Sequence, residues 1–209
     1  MNKKQIQILY IHGGGTFKNN EEYIEYLKTR EIKIEETERW SDEYFDKKLS
    51  KKFKMIKPKM PCKENAKYEE WKIQFERYLE KIDQNLVLIG TSLGGIFLAK
   101  YLSENTLNKN IISTYLIAPP FDAKSVNEKE IYGGFELKDN LEKIEENCKK
   151  VVFMFSKNDN VVNISAKTGY QEKLKKSEFI EFEDKNGHFK ISKFPEIIEM
   201  LKEDYKNNI

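Results

Sequence analysis

Leu86-Val87-Leu88-Ile89-Gly90-Thr91-Ser92-Leu93-Gly94 is the stretch from which the rest of the chain is read. Four consecutive apolar residues fit a strand buried on both faces, as in a parallel sheet, better than one that alternates. The run ends in Gly90-Thr91-Ser92-Leu93-Gly94, a G-x-S-x-G, and an apolar helical pattern follows over Ile96 to Leu102. With 10 glycines in 209 residues, such a pentapeptide arises by chance about 0.02–0.03 times in a chain of this size. Its weight therefore comes from the strand before it and the helix after it. Flanking glycines let the backbone turn sharply, so Ser92 is expected to stand exposed above the sheet at a helix N-terminus, where negative charge is favoured. The plainer alternative is an N-cap serine beside glycine-rich packing.

Short apolar runs like this one recur at Gln5 to Ile11, Phe53 to Lys57, Ile111 to Ala118, Val151 to Ser156 and Phe179 to Glu183. Amphipathic stretches lie between them. Trp71, Phe75, Tyr78, Leu79 and Ile82 form one stripe, and Ala166 to Leu174 and Ile197 to Tyr205 read the same way, the last entered through Pro195. This alternation predicts an α/β fold: a mostly parallel sheet of about six strands with helices on both faces. A length of 209 residues suits one domain over 1–209. Two segments break the alternation. Phe17 to Thr37 holds a short helix and a strand-like Ile32-Lys33-Ile34, an addition after the first strand. Phe121 to Asn147, with Ile131-Tyr132-Gly133-Gly134-Phe135, reads either as a small mobile cap over a pocket or as a surface connection with one buried tip.

Lys+Arg 37 against Asp+Glu 35 leaves a formal charge of +2, too small to favour nucleic acid or an anionic membrane as partner. No stretch approaches the roughly 20 apolar residues of a membrane span, and the N-terminal apolar run is too short for a signal peptide. Cys62 and Cys148 lack any CxxC or Cys/His partner, so free thiols in a reducing cytoplasm are expected, with no metal site.

A serine hydroxyl is a weak nucleophile at neutral pH and needs an adjacent base. The chain has 2 histidines, His12 and His188. His12-Gly13-Gly14-Gly15 directly follows the first strand, the place for an anion-binding loop, so His188 in Asn186-Gly187-His188-Phe189 is assigned the base by elimination. The acid belongs between Ser92 and His188 on a loop after a strand. Asp159, following Val151 to Ser156, fits best; Asp122 is the runner-up, and Asp184 shares the loop of His188. Its work would be to hold the imidazole tautomer. An oxyanion hole is expected from the backbone N–H groups of Leu93 and Gly14. Phosphate-loop readings of the glycine run fail because no Gly-Lys-Ser/Thr follows. His12, Phe121, Tyr132 and Phe135 are nominated as substrate-binding residues.

These features together resemble the small serine hydrolases of the α/β-hydrolase superfamily that include bacterial YdeN-like proteins and the mammalian retinoblastoma-binding hydrolase. The resemblance rests on His12 to Gly15, Pro58-Lys59-Met60-Pro61 with Tyr68 to Trp71, Gly90 to Gly94, Glu146-Asn147-Cys148, Asp159 and Gly187-His188-Phe189. It implies a three-layer α/β/α sandwich and a Ser92/Asp159/His188 triad. Met60-Pro61-Cys62-Lys63-Glu64 lacks the leucine of a Leu-x-Cys-x-Glu motif, so no partner that reads such motifs is implied.

The expected chemistry is hydrolysis of a small carboxylic ester, thioester or amide through acyl-Ser92, with no cofactor and a small-molecule substrate. A non-catalytic binding protein of the same fold and an acyltransferase are the alternatives. The assembly expected is a monomer or small homo-oligomer.

Overall fold

The computed structural model describes residues 5–32, 34, 38–49, 51–82, 85–126 and 131–208. Six strands form one parallel sheet: β1 (Ile6–Ile11), β2 (Phe53–Ile56), β3 (Asn85–Thr91), β4 (Asn110–Ile117), β5 (Val151–Ser156) and β6 (Glu178–Phe182). Their order across the sheet is β2-β1-β3-β4-β5-β6. Ile11 pairs with Gly90, Thr91 with Ile117, and Ser156 with Phe182, so the carboxyl ends of β3 to β6 lie side by side.

Seven α-helices connect the strands: α1 (Asn20–Thr29), α2 (Phe45–Lys48), α3 (Tyr68–Leu79), α4 (Leu93–Glu104), α5 (Lys143–Asn147), α6 (Ser165–Lys173) and α7 (Pro195–Asn208). Among the described residues, no helix is long and apolar enough to cross a membrane. The consecutive apolar strand residues divide by parity between two cores. Leu9, Leu86, Leu88, Phe153 and Phe155 face Trp71 and Phe75 of α3, α4, and Tyr170 of α6. Ile6, Ile8, Val87, Ile89, Val152 and Met154 face Trp40, Phe45 and the Ile197–Leu201 side of α7. The three layers expected from the sequence are thus present, because the apolar residues of the inner strands have an apolar cover on each side.

α4 is buried from Leu93 to Ser103 on every side. Its Lys100 is tolerated there because Nζ donates to Glu104 Oε1 at 2.9 Å and to the Glu136 carbonyl at 2.8 Å.

One sequence expectation is corrected. Ile32-Lys33-Ile34 is not a strand: Ile32 and Ile34 are 83% and 96% exposed, and Lys33 lies outside the described residues. Neither isoleucine pairs with a strand among the described residues. The turn at Trp40–Tyr44 and the helix α2, absent from the sequence reading, bury Trp40 and Phe45 under the second core. The 131–147 part of the segment that follows Pro120 is stapled to the body. Gly133, at φ +77°, accepts from the Tyr68 amide at 2.8 Å, while Phe135, Leu141 and Ile144 are buried.

α7 is docked by a buried carboxylate. Asp204 accepts from Ser113 Oγ at 2.6 Å, from the Tyr115 hydroxyl, and from Lys150 Nζ at 3.4 Å. Burial, with the neighbouring Asp204 charge, pushes the Tyr115 hydroxyl far above its usual range and keeps it a donor. Asp204→Ala would strand these groups, so a loss of about 3 kcal/mol is expected, or roughly 6–12 °C in Tm. Thermal and urea unfolding measure it; an unchanged midpoint would mean that the network is inert.

Candidate active site

At the end of β3 the chain reverses through Ser92, whose φ of +52° and ψ of −119° lie where an L-residue is strained. What holds it there is close backbone packing. The Ser92 amide donates to the Ile117 carbonyl at 2.8 Å, and the Ser92 carbonyl accepts from Gly95 and Ile96 in the first turn of α4. A Cβ on Gly94 would sit 2.6 Å from the His12 carbonyl oxygen and closer still to that of Ile11. A Cβ on Gly90 would sit 2.8 Å from the Gly94 carbonyl carbon. Both glycines of the motif are therefore demanded by contact between β1, β3 and α4, and the serine between them is half-exposed.

Three residues beyond β5, Asp159 is buried and fixed. Its Oδ1 accepts from the amides of Val161 at 2.8 Å and Val162 at 3.0 Å, and its Oδ2 accepts from His188 Nδ1 at 2.7 Å. That bond puts the proton on Nδ1 and leaves Nε2 as the basic nitrogen. The rival carboxylates are occupied elsewhere. Asp122 accepts from the Ser125 amide at 2.9 Å, and Asp184 accepts from Asn158 Nδ2 and the Asn186 amide, both at 2.6 Å.

The His188 loop is itself strained, with Asn186, Gly187 and Phe189 at φ +50°, +68° and +51°. A bulky residue seldom holds such a φ. Phe189 does so with its ring buried against Phe182 and Phe194. Ser92, Asp159 and His188 thus belong to loops at the carboxyl ends of β3, β5 and β6. With strands about 4.8 Å apart, β3 and β5 stand about two spacings from each other, a gap on the scale of an imidazole with its two hydrogen bonds. The Asp159–His188 bond is formed. Ser92 Oγ makes no hydrogen bond among the described residues.

Leu93 opens α4, so its N–H has no acceptor within the helix. Gly14 lies beside it: a Cβ there would be 3.1 Å from Leu93 Cδ2 and would collide with the Lys63 carbonyl oxygen. The glycine loop is braced from behind. Gly15 donates to the Lys63 carbonyl at 2.8 Å, the Met60 amide donates to His12 Nε2 at 3.1 Å, and His12 Nδ1 donates to the Gly13 carbonyl at 2.7 Å. Burial lowers the His12 pKa and favours this neutral form. Trp71 Nε1 donates to the Pro61 carbonyl at 2.8 Å and its ring meets His12 edge-on at 5.6 Å. The Pro58 to Pro61 segment and Trp71 therefore form one brace behind the His-Gly-Gly-Gly loop.

Of the remaining nominated residues, His12 lies beside the serine turn, its carbonyl oxygen 2.6 Å from where a Cβ on Gly94 would sit. His12 has both ring nitrogens committed to backbone. Phe135 is fully buried against Tyr68 and Trp71, inside the core and away from any pocket wall. Phe121, half-exposed, packs on Tyr170 at 5.1 Å, and the Tyr132 amide donates to Thr16 Oγ1 at 3.0 Å. The sequence reading missed the polar residues around Asp159 and His188, among them Ser156 and Asn158. Their adjacency to Asp159 is the one signal that points to them.

Comparison with known proteins adds the following. The family model described as "Serine hydrolase" matches residues 34–203, which include Ser92, Asp159 and His188. No curated protein matches the chain. Among solved structures, the ydeN gene product of B. subtilis superposes with a TM-score of 0.76 at 18% identity, covering 97% of this chain and 100% of the other. A putative YdeN-like hydrolase of Pectobacterium atrosepticum gives 0.62 at 15%, covering 97% and 91%. An esterase of Pyrococcus furiosus gives 0.59 at 16%, covering 99% and 84%. At these identities the structures share the fold with this chain.

Proposed function

The chain belongs to the serine hydrolase family, and from that premise we propose that it cleaves a small carboxylic ester through an acyl-Ser92 intermediate. One observation carries this reading: His188 Nδ1 donates to buried Asp159 at the sheet edge where Ser92 is held at a strained turn. In the proposed cycle, Ser92 Oγ attacks the ester carbonyl carbon while His188 Nε2 takes its proton. The N–H groups of Leu93 and Gly14 stabilise the tetrahedral oxyanion, aided by the N-terminus of α4. His188 then protonates the leaving alkoxide as the carbonyl reforms. Water repeats the sequence on acyl-Ser92 and releases the acid. Asp159 stays ionised and holds the ring. An esterase among the structural neighbours supports the choice of an ester.

A fluorophosphonate probe tests the nucleophile. Wild type is expected to be labelled on Ser92 and Ser92→Ala to stay unlabelled, alongside turnover of activated esters in a chain-length series. An unlabelled wild type, or equal labelling of the variant, would overturn the assignment.

A further inference from the structure

We propose that Ser156 and Asn158 form a positioning clamp that sets the spacing between the acid loop and the base loop, an inference that rests on the triad reading above. Ser156 ends β5 three residues before Asp159 and is buried. Its Oγ accepts from the Lys185 amide at 2.9 Å and donates to Asn158 Oδ1 at 2.7 Å. Lys185 stands three residues before His188. One hydroxyl thus ties matched points on the two loops.

Asn158 extends the tie outward. Its Nδ2 donates to Asp184 Oδ1 at 2.6 Å, the oxygen that also accepts the Asn186 amide, and its Oδ1 lies 3.4 Å from the Lys185 amide. On the far side, Lys185 Nζ donates to Glu196 Oε1 at 2.6 Å and lies over the Phe182 and Phe194 rings at 4.3 and 5.0 Å. The base loop is therefore gripped at Asp184, Lys185 and Asn186 just before it turns through three positive-φ residues to present His188. A loop in that conformation needs outside bonds to stay there. The strand pairing of Ser156 with Phe182 brings the loops together, and the clamp fixes how far apart they stand. Neither residue touches the reacting atoms; both act through the Asp159–His188 bond.

The test is Ser156→Ala, read by kinetics and by the NMR resonance of the His188 Nδ1 proton. With 2 histidines in the chain, His188→Gln identifies that resonance. The clamp predicts kcat down by about 10–10²-fold with KM changed little, the scale of a misplaced catalytic group, and loss or marked shift of the resonance. A folded Ser156→Ala protein with the wild-type resonance and kcat overturns the proposal. Should that variant fail to fold, Asn158→Asp sets a carboxylate against that of Asp184 and is expected to have the same two effects. Adding Asp184→Asn exchanges donor and acceptor and is expected to restore both; a double variant no better than Asn158→Asp overturns the clamp. The resonance does not depend on turnover. A wild type that hydrolyses nothing would therefore sink the hydrolase reading while the resonance still judges the clamp.

Discussion

His188→Ala is expected to lower kcat for an activated ester by roughly 10⁶-fold, and adding Ser92→Ala to it should cost almost nothing more. The reason is that the proposed triad would work as a unit: without the imidazole, the Ser92 hydroxyl would keep its proton and attack no better than solvent does. The Leu93 and Gly14 amides survive in both variants, so each should retain a residual rate of roughly 10³–10⁴ over water. The measurement is kcat for the two single variants and the double variant, with protein purified away from host esterases. Losses that multiply would show that Ser92 and His188 act separately. More than about 1% of wild-type kcat in His188→Ala would show that another group supplies the base.

Gly94→Ala is expected to be the most damaging single methyl in the chain. The added carbon would lie 2.6 Å from the His12 carbonyl oxygen, 2.8 Å from the Ile11 carbonyl carbon and closer still to the Ile11 oxygen. All three belong to backbone, so no side-chain rotation relieves the contact. Either α4 must lift from the sheet or β1 must shift, and both are held by the first core. A loss of at least about 3 kcal/mol follows, beyond most overpacking substitutions, together with displacement of the Ser92 turn. Urea unfolding and fluorophosphonate labelling check both consequences. Gly134→Ala is the comparison: its φ is +84°, yet a Cβ there meets nothing nearer than Tyr68 Cβ at 3.6 Å. It should therefore cost only its backbone strain, about 1 kcal/mol. Wild-type stability and labelling in Gly94→Ala would refute the packing account.

The four inner strands were legible in the sequence because each is covered on both sides, and such burial leaves consecutive apolar residues as its mark. Val151 to Ser156 coincides with β5, and Leu86 to Ile89 forms the middle of β3. The Ser92 turn was legible for a similar reason: packing against backbone demands glycine, which is easily recognised. The Trp40–Lys48 stretch was not, since a single turn and a four-residue helix are too short to display a period. Ile32 and Ile34 misled because apolar alternation was read as burial, whereas both side chains are exposed. Phe135 misled because an aromatic residue beside two glycines looks the same in sequence whether its ring lines a pocket or fills a core. Most hidden of all were the partners within the loops that carry Asp159 and His188. Ser156, Asn158 and Asp184 are small polar residues whose pairing crosses 26 to 29 positions of chain, and no local pattern records such a meeting.

α4 has no water-facing side over most of its length. A helix of that kind gains almost nothing by forming alone, since only the surrounding layers give its side chains somewhere to go. The turn that presents Ser92 therefore has no independent existence: it appears when the whole architecture closes and dissolves when that architecture opens. Partial loosening at the periphery would leave the reactive oxygen where it was, and competence to react would be an all-or-none property of the molecule.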